Sequence, residues 1–209
     1  MKAALQLVDR AGPVSELKLA EFRDMVRDVA MQLKADADCP DLDEAFAQAT
    51  LLDGFCAEVD VMIGLNVVSR DGNPFAGTKI RAMAEAAGFK LAPDGSFRYL
   101  NERGEQVYSL QNLEPSPFAA NAMKALATRG VTLLLDIPRV AAGGRAFDQM
   151  VTLARHFSAT LGGAVVDDNR VVLNEGGLAK IRAQIEDIQA RMTVRGVRPG
   201  SPLALRLFG

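Results

Sequence analysis

The segment GVTLLLDIP, residues 130–138, constrains the fold of this chain more than any other. Val131, Leu133, Leu135 and Ile137 recur at every second position, the period of a β-strand, and Thr132, Leu134 and Asp136 form the opposite row. One row is core and the other is partly apolar. Such a strand belongs inside a sheet whose first face is covered by helices. VMIGLNVVSR, residues 61–70, has the same build: Val61, Ile63, Leu65 and Val67 on one side, Met62, Gly64, Asn66 and Val68 on the other. Glycine inside a strand gives up packing and costs backbone entropy, so Gly64 marks a place where something else approaches the sheet.

The remaining segments supply partners for these strands. SFRYLN (96–101) and QVYSLQNL (106–113) read as a hairpin around ERGE. AVVDDNRVVL (164–173) reads as a tight hairpin turning on Asp167 to Asn169, so the paired carboxylates Asp167 and Asp168 are expected to be turn residues, not an acid/base pair. ALQLVDR (4–10) and DADC (36–39) are strand-like. An amphipathic helix begins at Ser15 as N-cap and carries Leu19, Phe22, Val26, Val29 and Leu33 at helical spacing. PDLDEAFAQATLLDGFCAEV is a second helix with Pro40 near its start. NPFAGTKIRAMAEAAGF is a third, ending at Gly88, and residues 117–128 form a short one. GRAFDQMVTLARHFSATLGG is a long helix closed by Gly162 and Gly163, and GGLAKIRAQIEDIQARMTV is the last. Residues 5–39 and 133–168 share a strand, a Pro/Gly-bearing loop, a Phe-led helix and a short strand; internal duplication and chance likeness both fit that pattern.

Composition narrows the function. The 209 residues are 49% hydrophobic, enough for one good-sized domain or two small ones. A net charge of −2 from interspersed charges gives no basic field for phosphate backbones, and the low aromatic content argues against base stacking, so no nucleic acid partner is expected. No apolar run reaches membrane-spanning length and no signal peptide is evident at the start, so the chain as given is expected neither to cross a membrane nor to be exported. Cys39 and Cys56 lack metal or redox spacing and are expected to be reduced in a cytoplasmic compartment. His156 has no partner for a metal or catalytic set. AAGGRAF (141–147) lacks phosphate-loop spacing. No enzyme, no cofactor and no metal site is expected.

From residue 61 to about 193 the order is strand, helix, hairpin, short helix, strand, helix, hairpin, helix. With LNVVSRDG (65–72), AGF (87–89), YSLQNL (108–113), GVTLLLDIP and above all LGGAVVDDNR (161–170), this order resembles the ZipA C-terminal domain family, whose members bind the tail of the tubulin-like division protein FtsZ. The resemblance implies an α+β fold: a split β-α-β antiparallel sheet with helices on one face, an RRM-like or ferredoxin-like sandwich, here preceded by a strand–helix–strand–helix unit. Residues 1–60 are then an N-terminal extension, 61–193 the family-like domain and 194–209 a tail.

The resemblance further implies a non-enzymatic division adaptor that binds the FtsZ C-terminal peptide in an apolar groove on the bare sheet face. Carried over by position, the groove takes Met62, Gly64, Phe97, Tyr99, Gln111, Leu113 and Leu134. The better-known family members carry a larger apolar residue where this chain has Gly64, so the expected guest lies over that glycine. The implied full-length protein sits at the cytoplasmic face of the bacterial inner membrane through an anchor outside this chain. Met62 and Leu134 also fit a buried core beneath residues 1–60. The same architecture supports an alternative, an RRM-like nucleic-acid-binding domain, and that reading needs aromatic and basic residues on the face. The tail SPLALRLFG (201–209) has three expected placements: back in the groove, as an added edge strand beside ALQLVDR, or as a disordered end.

Overall fold

A computed structural model describes residues 1–209. In chain order the elements are β1 (Val8–Asp9), β2 (Gly12–Pro13), α1 (Glu16–Gln32), α2 (Leu42–Val59), β3 (Met62–Ser69), β4 (Phe75–Ala76), α3 (Gly77–Ala86) and β5 (Lys90–Leu91). They continue with β6 (Phe97–Leu100), β7 (Gln106–Asn112), β8 (Ala127–Thr128), β9 (Gly130–Asp136), a 3₁₀ turn (Ile137–Arg139), α4 (Gly143–Leu161), β10 (Gly163–Val166), α5 (Glu175–Val194) and α6 (Pro202–Leu207).

Six strands make one antiparallel sheet in the order β10-β3-β9-β7-β6-β5. Strand β9 is internal and pairs with β3 on one side and β7 on the other, as suits a strand with one core row and one partly apolar row. Helix α4 packs along β3, β9 and β10. Its Ala146, Phe147, Met150, Val151, Ala154 and Phe157 recur at three- and four-residue intervals and are buried, as one helix face on a sheet requires. Helix α5 packs on α4 and α2 on α5, so the helices lie on a single face of the sheet. The expected α+β sandwich is the fold observed.

Caps explain where the helices begin. Ser15 Oγ accepts from Lys18 N at 3.3 Å, Asp41 Oδ1 from Asp43 N at 2.9 Å and Asn174 Oδ1 from Gly177 N at 2.8 Å. Gly162 ends α4 with φ +73°, a left-handed conformation that glycine adopts without Cβ strain.

Several expectations are corrected. In ALQLVDR only Val8–Asp9 is strand, paired locally with Gly12–Pro13 and not with the main sheet. DADC forms no strand; it is a connection into the Asp41 cap. The first unit of the suspected duplication thus adds nothing to the sheet. Residues 119–126 form hydrogen-bonded turns and not a helix, because the chain is diverted into β8, which pairs with β4. For the same reason α3 starts only at Gly77. The tail is helical: Ser201 caps it, Pro202 takes its first position, and Ala204, Leu207 and Phe208 are buried at helical spacing. It is neither an edge strand nor a disordered end.

One continuous cluster of 34 buried residues fills the space between sheet and helices. It includes Val8, Phe55, Cys56 and Val59 from the first sixty residues and Ala204, Leu207 and Phe208 from the tail. Helix α1 contributes nothing to it. It packs on α2, buries Leu19, and leaves Leu33 at 61% exposure although Leu33 belongs to the stripe read from the sequence.

Candidate functional site: the open face of the sheet

Leu65, Val67, Leu110, Val131, Leu133 and Leu135 point at the helices and are fully buried, so their strand neighbours face the other way. Register sets the rows on this uncovered face. Met62 lies opposite Asp136; Gly64 opposite Leu134, and Leu134 opposite Ser109; Asn66 opposite Thr132, and Thr132 opposite Gln111; Val68 opposite Gly130. Val166 and Ala164 extend the last two rows on β10, and Arg98 stands opposite Ser109 on β6. No aromatic ring occupies any of these positions.

Two glycines in this face are roofed by side chains from elsewhere in the chain. A Cβ on Gly64 would lie 3.3 Å from Asp168 Oδ1 and 3.6 Å from Leu134 Cδ2. A Cβ on Gly130 would lie 2.5 Å from Leu113 Cδ2, so Gly130 is what lets Leu113 lie across β9. Asp168 sits in the turn that follows β10. Its Oδ1 accepts from Asn66 Nδ2 at 3.0 Å, and Asn66 Oδ1 in turn accepts from Thr132 Oγ1 at 2.7 Å. Asn66 is only 5% exposed, and these two bonds satisfy both ends of its amide. The neighbouring Asp167 is used by the turn itself, its Oδ1 accepting from Val171 N at 2.8 Å. The sequence expectation of turn carboxylates therefore holds for Asp167, while Asp168 also reaches onto the sheet.

Apolar side chains gather at the two ends of the face. Met62, 51% exposed, and half-buried Leu134 form one patch; Leu113, 38% exposed, lies over Gly130 beside Val68 at the other. The polar row Asn66, Thr132 and Gln111 separates them. The two ends are roughly six residues apart along β9, about 20 Å, the length of a short extended peptide.

Residues 1–60 do not close the face. The β1–β2 hairpin meets the end of the sheet, where Arg10 Nε donates to Asp60 Oδ2 at 2.9 Å and Arg10 Nη2 to Asp136 Oδ2 at 3.1 Å. Burial pushes the Asp136 carboxyl up, with Arg10 pulling the other way, and the hydrogen bond to Asp60 is the main cause that raises the Arg10 guanidinium. Asp136 Oδ1 is buried without a partner.

Phe97 and Tyr99 are corrected as groove residues. They pair with Leu110 and Tyr108 and share the helix-facing side; Phe97 is fully buried against Phe118, with ring centroids 5.3 Å apart. Tyr99 stacks on Tyr108 at 4.8 Å, and burial, with a smaller push from Tyr99, lifts the Tyr108 hydroxyl to about 12. Met62, Gly64, Gln111, Leu113 and Leu134 do share the open face. The sequence reading missed Gly130, Thr132, Asn66 and Asp168. Gly130 carried the same signal as Gly64, a glycine in a strand. Asp168 carried none, because its place over Gly64 depends on strand pairing.

The ZipA C-terminal FtsZ-binding domain model matches residues 61–184, more than half of the chain. The chain belongs to this family. The chain is similar to cell division proteins ZipA of several bacteria. That of Ectopseudomonas mendocina is 29% identical over 139 residues, 65% of this chain and 51% of its own length. That of Stutzerimonas stutzeri is 28% identical over 144 residues, 66% of this chain and 53% of its own. That of Azotobacter vinelandii is 30% identical over 129 residues, 60% and 45% respectively. The chain thus spans about half the length of the curated relatives it matches. In this ZipA-type domain no helix is long and apolar enough to cross a membrane.

Proposed function

We propose that this ZipA-type domain is a non-enzymatic cell-division adaptor whose open sheet face binds the C-terminal tail of FtsZ as an extended peptide. Met62 and Leu134 take apolar side chains at one end, Leu113 at the other, and Gln111 offers polar contacts between them. The observation that carries this reading is a pair of exposed apolar patches on an uncovered sheet face in a member of an FtsZ-binding family. A disordered tail loses conformational freedom on docking, so single-site affinity is modest, about micromolar. Filaments that present many tails to many receptors compensate by avidity. Held at the cytoplasmic side of the inner membrane, the domain tethers filaments there during septation. The nucleic-acid reading is disfavoured because Phe97, Tyr99 and Tyr108 point into the core and leave the face without stacking rings.

A fluorescence titration with an FtsZ C-terminal peptide tests the proposal. Leu134→Asp is expected to weaken binding at least about tenfold, since it places a charge in the apolar patch. Unchanged affinity, or an unmodified protein that ignores the peptide yet binds oligonucleotides with steep salt dependence, would refute it.

A further inference from the structure

We propose that Asp168 sets the partner chemistry of the open face: its carboxylate, seated over Gly64, receives a cationic side chain of the docked peptide. This rests on the peptide reading above. Asp168 is held in place, since Asn66 Nδ2 donates to Oδ1 at 3.0 Å and Thr132 fixes Asn66. It is also unspent. Among carboxylates at this face and its rim, Asp136 and Asp60 pair with Arg10, and Asp94 pairs with Arg98. Asp167 is committed to the turn. Asp168 has no Lys or Arg partner, is exposed, and its bond from Asn66 leaves Oδ2 free to accept from a guest.

The surroundings select the kind of cation. One point, the missing Cβ of Gly64, lies 3.3 Å from the Asp168 carboxylate and 3.6 Å from the Leu134 methyl. Acid and aliphatic surface thus adjoin each other. A lysine or arginine suits both, its methylene stem lying on Leu134 and its head on Asp168, where a charge-assisted hydrogen bond forms. A short apolar residue would satisfy only one of them. A Cβ at position 64 would already stand 3.3 Å from the Asp168 carboxylate, so a branched side chain there would push the carboxylate outward.

The test is a double-mutant cycle. The native FtsZ tail peptide and versions with Met in place of each Lys or Arg in turn are titrated against the unmodified protein, Asp168→Asn and Gly64→Val at low salt. Asp168→Asn keeps an acceptor for Asn66 and removes only the charge. It is expected to weaken the native peptide about five- to tenfold and to leave one Met-substituted peptide unaffected, which identifies the paired residue. Gly64→Val should lose the same preference by displacing the carboxylate. Equal affinity of Asp168→Asn and the unmodified protein for the native peptide, with Leu134→Asp still weakening it, overturns this inference and leaves the adaptor reading standing. Failure of the unmodified protein to bind any version overturns both.

Discussion

At the scale of single residues, alternation and resemblance disagree over Phe97 and Tyr99, and alternation is right. In FRYL the aromatic residues share one side and Arg98 takes the other, which by itself assigns the rings to the core. The family position pointed to the groove. Register decides the matter by pairing Phe97 with fully buried Leu110. Phe97→Ala should therefore cost about 3–5 kcal/mol in urea unfolding, as truncating a fully buried phenylalanine does, while FtsZ-peptide affinity per folded molecule stays unchanged. A large affinity loss with little destabilisation would return Phe97 to the groove. Gly64 teaches the complementary point. Its sequence signal is a gap in a strand, and within the chain the nearest side-chain atom to that gap belongs to Asp168.

At the scale of elements, strongly periodic segments behave as their patterns require, and short ones follow their neighbours. Helix α4 has an unbroken apolar stripe and a glycine stop, and it forms as read. The tail shows how a short segment misleads. Leu203, Leu205 and Leu207 alternate like a strand, yet the residues that are buried are Ala204, Leu207 and Phe208. Serine and proline at its start settle the choice in favour of helix α6, which packs against the 3₁₀ turn and β1 and supplies Phe208 to the core. Deleting residues 200–209 should cost at least about 4 kcal/mol of stability, from the loss of Leu207 and Phe208. Peptide affinity of the folded protein should not rise, because α6 lies with the helix-side core and away from the groove. Tighter binding after the deletion would revive autoinhibition.

At the scale of the whole molecule, the continuous core ties the first sixty residues and the tail to the family-matched segment. Unfolding should accordingly be one cooperative transition. Two probes check this. Tyr99 and Tyr108 are the chain's two tyrosines, stacked between sheet and helices, and Trp is absent, so intrinsic fluorescence reports the sheet. Cys56 is buried in α2, and burial raises its thiol, so its labelling reports the N-terminal extension. In a Cys39→Ser background both signals should move together with urea; Cys56 becoming reactive well before the tyrosine change would show an independent lobe. Near neighbours along the chain fix the helix stripes and caps, the strand rows, the hairpin turns and the motif order that carries the family. Tertiary structure alone decided which sheet face stays open, where α1 fails to join the core, and that Asp168 fills the space above Gly64. Those outcomes arise from pairing between segments distant in the chain, and a one-residue shift in strand register would invert each face, so no local pattern contains them.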